Sequence, residues 1–279
     1  MKEETRKEVR KQFEEAGYIA DEITKVSNGV KRHGYSIRRN ANEAMAPVYY
    51  DDQIEEMLKN GMPVHAIAEH ALKSYEAMYK STQWIHSAED IRKNLIVCLQ
   101  RDSQEDLIKC PSGYDGVEKF LCAVLQNGEM VQRICNIRDL LVRNGIHEAE
   151  AWDIAMENIR KKTDIRSMAE VFYLEIMGME EVPPMEESNL YLMTLRGAEG
   201  ERLDYGAGAA LNRDAIAAFA KEHHVSTVAV LPSSIHEVLL VPGITEEEIP
   251  LYSAMVADAN LVSVPEEDRL TDRAYILKF

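Results

Sequence analysis

Ten residues, Val117 to Gln126, are apolar on both faces when read with a period of two. Phe120, Cys122 and Val124 face one way, and Leu121, Ala123 and Leu125 face the other. A strand with one wet face alternates apolar and polar residues, so this one belongs at the centre of its sheet. A buried strand needs a sizeable core. A chain of 279 residues, with 46% hydrophobic and 29% charged side chains, is long and apolar enough to build one large core or two smaller ones.

The surrounding chain alternates helical and extended patterns. Residues 2–16 read as a charged helix, with Val9 and Phe13 on its apolar side. Ile23–Val26 and Val30–Ile37 flank Asn28-Gly29, the signature of a type I′ hairpin turn. A strand at Ala46–Tyr50 leads into a helix at Gln53–Lys59, opened by Asp51-Asp52 and closed by Asn60-Gly61. Pro63 opens the next helix, in which Val64, Ile67, Ala68, Ala71 and Leu72 keep the helical period. Further on, Asn94–Arg101 and Glu129–Asn136 read as strands. Ile137–Arg143, Glu148–Arg160 and Ile165–Met177 read as helices, the first ending at Asn144-Gly145. MLKNGMPVHAIAEHAL and LVRNGIHEAEAWDIAM thus share one order, consistent with duplication of a strand-helix-helix unit. The frequency of Asn-Gly helix ends and of helical alanine accounts for the same likeness without one.

EEVPPMEESN, residues 180–189, carries two prolines and four glutamates and little to bury, which marks a linker. The expected division is a helix-rich region at 1–180 and a lobe at 189–279. In the lobe, Leu190–Leu195, Arg202–Leu211, Val228–Leu231, Glu237–Val241 and Arg273–Phe279 read as strands. Arg213–His223 and Glu246–Asn260 read as helices, the second facing inward through Ile249, Met255 and Val256. The order β-β-α-β-β-α-β gives an α+β fold, with mostly antiparallel sheets and helices packed on one face.

The net charge is −16, and residues 178–279 hold 18 acidic against 7 basic side chains, or −11. Such a chain repels nucleic-acid backbones and anionic membranes. Solubility alone accounts for the acidity; an acidic face for a basic protein partner is the functional reading. No stretch has the ~20 apolar residues of a membrane helix, and the first residues mix both charge signs without a signal-peptide core. Cys98, Cys110, Cys122 and Cys135 contain no C-x-x-C pair, which disfavours zinc and thioredoxin-like chemistry. Three of them sit in apolar runs and read as reduced core residues of a cytoplasmic protein.

Candidate chemistry is sparse. His65 and His70 are five apart, roughly 140° around a helix, the wrong spacing for one metal. Gly206 and Gly208 give half of a dinucleotide loop, without its third glycine or a preceding buried parallel strand, and glycine in a strand more often marks a bulge or a close backbone approach. In LPSSIHEVLLVP, Ser233, Ser234 and His236 cluster in a turn between apolar strands. A hydrolase-like serine and base is one reading, although no Gly-x-Ser-x-Gly elbow accompanies them; a turn satisfied by its own hydroxyls is the other. No residue set points to a cofactor or a metal. The leading expectation is therefore a non-enzymatic accessory or interaction protein. A second alternative is an acidic inhibitor that imitates nucleic acid before a defence nuclease, with Glu246, Glu247, Glu248, Glu266, Glu267 and Asp268 as its face.

At LPSSIHEVLLVP, preceded by NRDAIAAFAKEHHV, the chain resembles an uncharacterised domain-of-unknown-function family of Firmicutes proteins associated with conjugative elements. More loosely it resembles the group typified by the Bacillus YtpQ protein. The likeness is firmest over residues 189–279. It implies a cytoplasmic bacterial protein carried with mobile elements, and it brings no catalytic residues with it.

Overall fold

A computed structural model of the chain describes residues 1–39, 48–82, 87–127, 130–183 and 189–279. It divides into two compact units, Met1–His86 and Ser87–Phe279. Both mix helices with antiparallel sheet, and the fold is α+β.

In the first unit, α1 (Glu3–Glu15) precedes a hairpin of β1 (Ile19–Ser27) and β2 (Val30–Arg38). Asn28 and Gly29 both have positive φ, as the I′ turn requires. β3 (Val48–Tyr50) extends the sheet antiparallel to β2. α2 (Asp51–Lys59) and α3 (Val64–Thr82) follow, and Phe13, Tyr35, Ile37, Ile54, Ile67 and Tyr75 fill one core. The helical period predicted for α3 is the period of its buried residues, Ile67, Ala68, Ala71 and Tyr75.

The second unit opens with α4 (Ala88–Asn94), capped by Ser87 and Asp90. Its first sheet holds β4 (Leu95–Arg101), β5 (Lys109–Tyr114), β6 (Val117–Asn127) and β7 (Met130–Ile134). β6 is central: β4 lies on one edge, and β5 and β7 share the other. α5 (Arg138–Arg143) and α6 (Glu148–Lys162) follow, and the Asn158 amide donates to the Arg92 and Leu95 carbonyls, fixing α6 to the start of β4.

The second sheet has the order β12-β10-β11-β9-β8, antiparallel throughout: β8 (Thr163–Ser167), β9 (Tyr191–Leu195), β10 (Thr227–Leu231), β11 (Val238–Pro242) and β12 (Tyr275–Lys278). Its other elements are α7 (Met168–Glu170), α8 (Arg213–Glu222) and α9 (Ile249–Val262). Ala229 and Leu231 of β10 lie in the cluster under α9, while Val228 and Val230 are buried on the opposite face.

Several elements differ from the sequence reading. Residues 165–167 are not helical. They belong to β8, which pairs with β9 along its whole length, and only then do α7 and a π-helical turn, Val171–Ile176, begin. Arg202–Leu211 is not a strand. Arg202 makes a single bridge to Arg196, and Gly206–Leu211 is a 3-10 helix. β5 escapes the reading because Pro111 and Gly113 break its pattern; the strand tolerates them with an irregularity between Pro111 and Tyr114. β8 and β9, which lie on either side of the 180–189 stretch in sequence, pair with each other, and both belong to the second unit. Residues 184–188, the start of the expected Ala46–Tyr50 strand and Gly128 lie outside the described residues.

Candidate functional site

Three separate segments of the second unit meet at His236. It sits in the turn between β10 and β11. Its Nδ1 lies 3.5 Å from Asp204, on the approach to the 3-10 helix, and its Nε2 lies 3.5 Å from Asp268, in a short 3-10 turn after α9. Burial opposes the charged ring, but hydrogen bonds and charge from Asp204 and Asp268 outweigh it and push the imidazole up to about 9. The same contact holds the Asp204 carboxyl below its ordinary range. The Tyr205 N–H lies 3.3 Å from Nδ1 and donates to it only when that nitrogen is unprotonated. At neutral pH the protonated ring instead faces the two carboxylates. Tyr205 adopts a left-handed φ of 62°, unusual for a bulky residue, and its ring lies 5.3 Å from the imidazole. The Arg133 guanidinium lies 4.1 Å from the centre of that tyrosine ring.

An open cleft of ≈ 440 Å³ lies beside this histidine, lined by Thr194, Arg202, Leu203, Asp204, His236 and Glu237. Its charged groups are largely committed. Arg202 reaches Glu175 of the π-helical turn at 3.5 Å, and Glu175 also binds Arg196, which is held in turn by Asp164 at 2.6 Å.

The second feature is α9. Ile249, Tyr252, Val256 and Asn260 form its inner side, packed on β10, β11 and the approach to β12 or buried beside them. Met255, expected inside, is 51% exposed. One residue is about 100° of helix, which turns it away from Val256. Leu251 (62% exposed) and Val262 (82%) lie within roughly 40° of the same outward direction. α9 contains no lysine or arginine, and Asp258 is its one charged residue.

A model of the family DUF5688, described as a family of unknown function, matches residues 1–278. The chain belongs to DUF5688. The match takes in both units of this DUF5688 protein, beyond the 189–279 stretch on which the resemblance was firmest. No curated protein and no solved structure matches it.

The residues singled out by sequence are distributed as follows in the DUF5688 chain. The Ser234 hydroxyl accepts the His236 backbone N–H at 3.0 Å, and the Ser233 carbonyl accepts the Leu270 N–H. Neither serine lines the cleft, and both ring nitrogens of His236 face carboxylates. Glu246 pairs with Lys278, Glu248 caps its own helix through Thr245, and Glu247 is exposed. The Glu266 carbonyl accepts from Arg101, while the Asp268 side chain faces His236. The two acidic clusters, Glu246–Glu248 and Glu266–Asp268, precede and follow α9 in the sequence. His65 and His70 are both exposed on α3. Sequence reasoning did not link Asp204 and Asp268 to His236, because no local spacing connects three segments this far apart.

Proposed function

We propose that this protein acts by binding, and that its docking surface is the outer face of α9. The observation that carries the reading is the exposure of Leu251, Met255 and Val262 along one side of a helix that is apolar nearly all round. Such helices normally lie inside a core, and exposed apolar side chains gathered along one side of a helix mark an interaction surface.

The occupant is a basic amphipathic helix of another protein. Asp258 interrupts the strip, and exposed Glu247 and Glu266 stand at its two ends. A second copy of this chain, at net −16, would set like charges against one another, whereas lysines or arginines flanking apolar anchors complement the rim. A cytoplasmic bacterial setting, with mobile-element association, belongs to this proposal on the strength of the resemblance alone.

No catalytic step is proposed. A histidine held protonated between two carboxylates is a poor acceptor for a serine proton, so the Ser233, Ser234 and His236 reading gains no support. Glu246 is engaged by Lys278 and Asp268 by His236, so nucleic-acid imitation gains no support from them.

The test is titration with an 18-residue synthetic helix carrying leucines at i, i+4, i+7 and i+11 and lysines elsewhere, beside a glutamate counterpart. The lysine peptide binds the wild type, and Leu251→Asp weakens it at least tenfold. Equal binding to both proteins, or concentration-dependent dimerisation abolished by Leu251→Asp, overturns the assignment.

A further inference from the structure

Three of the four thiols lie on one face of one sheet. The register pairs Ile96 with Cys122 and Cys98 with Phe120, so the Cys98 and Cys122 side chains emerge on the same side of β4 and β6. On the other edge of β6, Ala123 pairs with Ile134, and continuing by one residue sets Cys122 opposite Cys135, just past β7. Cys98 and Cys122 are buried, with their sulfurs 2.7 Å apart, against about 2.05 Å for a covalent S–S bond. Cys135 is half-buried, and Cys110 stands on β5 outside this set.

The same face carries a cation. The Arg133 guanidinium lies 5.7 Å from the centre of the Phe120 ring and 4.1 Å from that of Tyr205. Burial opposes the charge on that guanidinium, and the electrostatic influence of Cys135, Cys98, Tyr205 and Cys122 outweighs it and favours the charged form. A guanidinium in this position stabilises a thiolate and opposes the approach of a metal cation.

We propose that Cys98, Cys122 and Cys135 form a thiol–disulfide exchange site, in which Cys135 meets a small-molecule disulfide and Cys98 and Cys122 become the bonded pair. Burial pushes the Cys122 thiol well up, which leaves the first attack to the more accessible Cys135. With oxidised glutathione as the disulfide, the Cys135 thiolate attacks one sulfur, the glutathione S–S bond breaks, and one glutathione thiolate leaves. Cys122 then attacks the Cys135 sulfur and releases the second glutathione. Cys98 attacks the Cys122 sulfur and returns Cys135 as a thiolate. One oxidised glutathione becomes two reduced molecules, two protein thiols become one disulfide, and the two protons lost from protein end on the glutathione thiols.

The test equilibrates the full chain in glutathione buffers of increasing oxidised fraction, followed by thiol counting in denaturant and mass spectrometry of alkylated digests. Two of four thiols are expected to be lost, with a peptide linked through Cys98 and Cys122 and with Cys110 alkylated throughout. Cys135→Ser should slow the loss at least tenfold and leave the linked pair unchanged. Iodoacetamide on the wild type gives a check independent of any variant, with Cys135 alkylated well before Cys98 and Cys122. Four free thiols in fully oxidised buffer, Cys135 stopping at the glutathione adduct, or Cys135→Ser oxidising at the wild-type rate overturns the proposal.

Discussion

Gly208 approaches the backbone of Val97 so closely that a Cβ at position 208 would stand 2.0 Å from the Val97 carbonyl oxygen. The 3-10 helix Gly206–Leu211 is thereby pressed directly on β4. Gly206 is confined in the same way, its absent Cβ falling 2.2 Å from the Thr194 hydroxyl. Glycine is needed at both positions for this close packing.

Gly208→Ala is therefore expected to destabilise the second unit by about 3 kcal/mol, the upper end of ordinary overpacking, because the obstacle is backbone and cannot rotate away. Urea unfolding followed by circular dichroism checks this; a midpoint unchanged from wild type would mean that the 3-10 helix moves freely off β4.

The His236 contacts predict a pH-dependent contribution to stability. The folded value of about 9 lies above the ordinary 6.5, so the stabilisation is fully present below about pH 6.5 and is lost as pH rises through 9. Allowing for partial exposure, it is on the order of 2 kcal/mol. The difference in unfolding midpoint between wild type and His236→Asn should be clear at pH 6 and vanish near pH 10. A difference that grows with pH would contradict the assigned protonation.

Much of this architecture was legible in the residues. β6 announces itself through two apolar faces, and Asn28-Gly29 through the positive φ that its turn demands. The failures at residues 165–167 and at β5 have one cause, tertiary context overriding local pattern. Residues 165–167 carry helical signals but complete a sheet by pairing with β9, and β5 is held in place by β6 despite Pro111 and Gly113. The His236 site was legible only in part: the turn stood out, while Asp204 and Asp268 reach it from distant segments.

Arg196 predicts a further cost. Its side chain, 10% exposed, joins Asp164 of β8 to Glu175 of the π-helical turn. Arg196→Ala leaves two facing carboxylates with Arg166 as a remaining partner, and is expected to cost about 2 kcal/mol by urea unfolding. Arg196→Lys should recover less than half, since one ammonium cannot reproduce the guanidinium fork.

The two sides of α9 should separate cleanly. Val256→Ala, at a 3% exposed position, is expected to cost about 2 kcal/mol, whereas Leu251→Asp should change stability by no more than about 0.5 kcal/mol. Thermal unfolding of the two variants checks both values, and a large loss for Leu251→Asp would assign that side chain a place in the fold.

Amide hydrogen exchange with and without the lysine-rich peptide tests the docking surface most directly. The account predicts added protection concentrated in residues 249–262, absent with Leu251→Asp and lost as salt is raised. Protection centred on residues 194–204 and 236–237 around the cleft, with α9 unchanged, would contradict it.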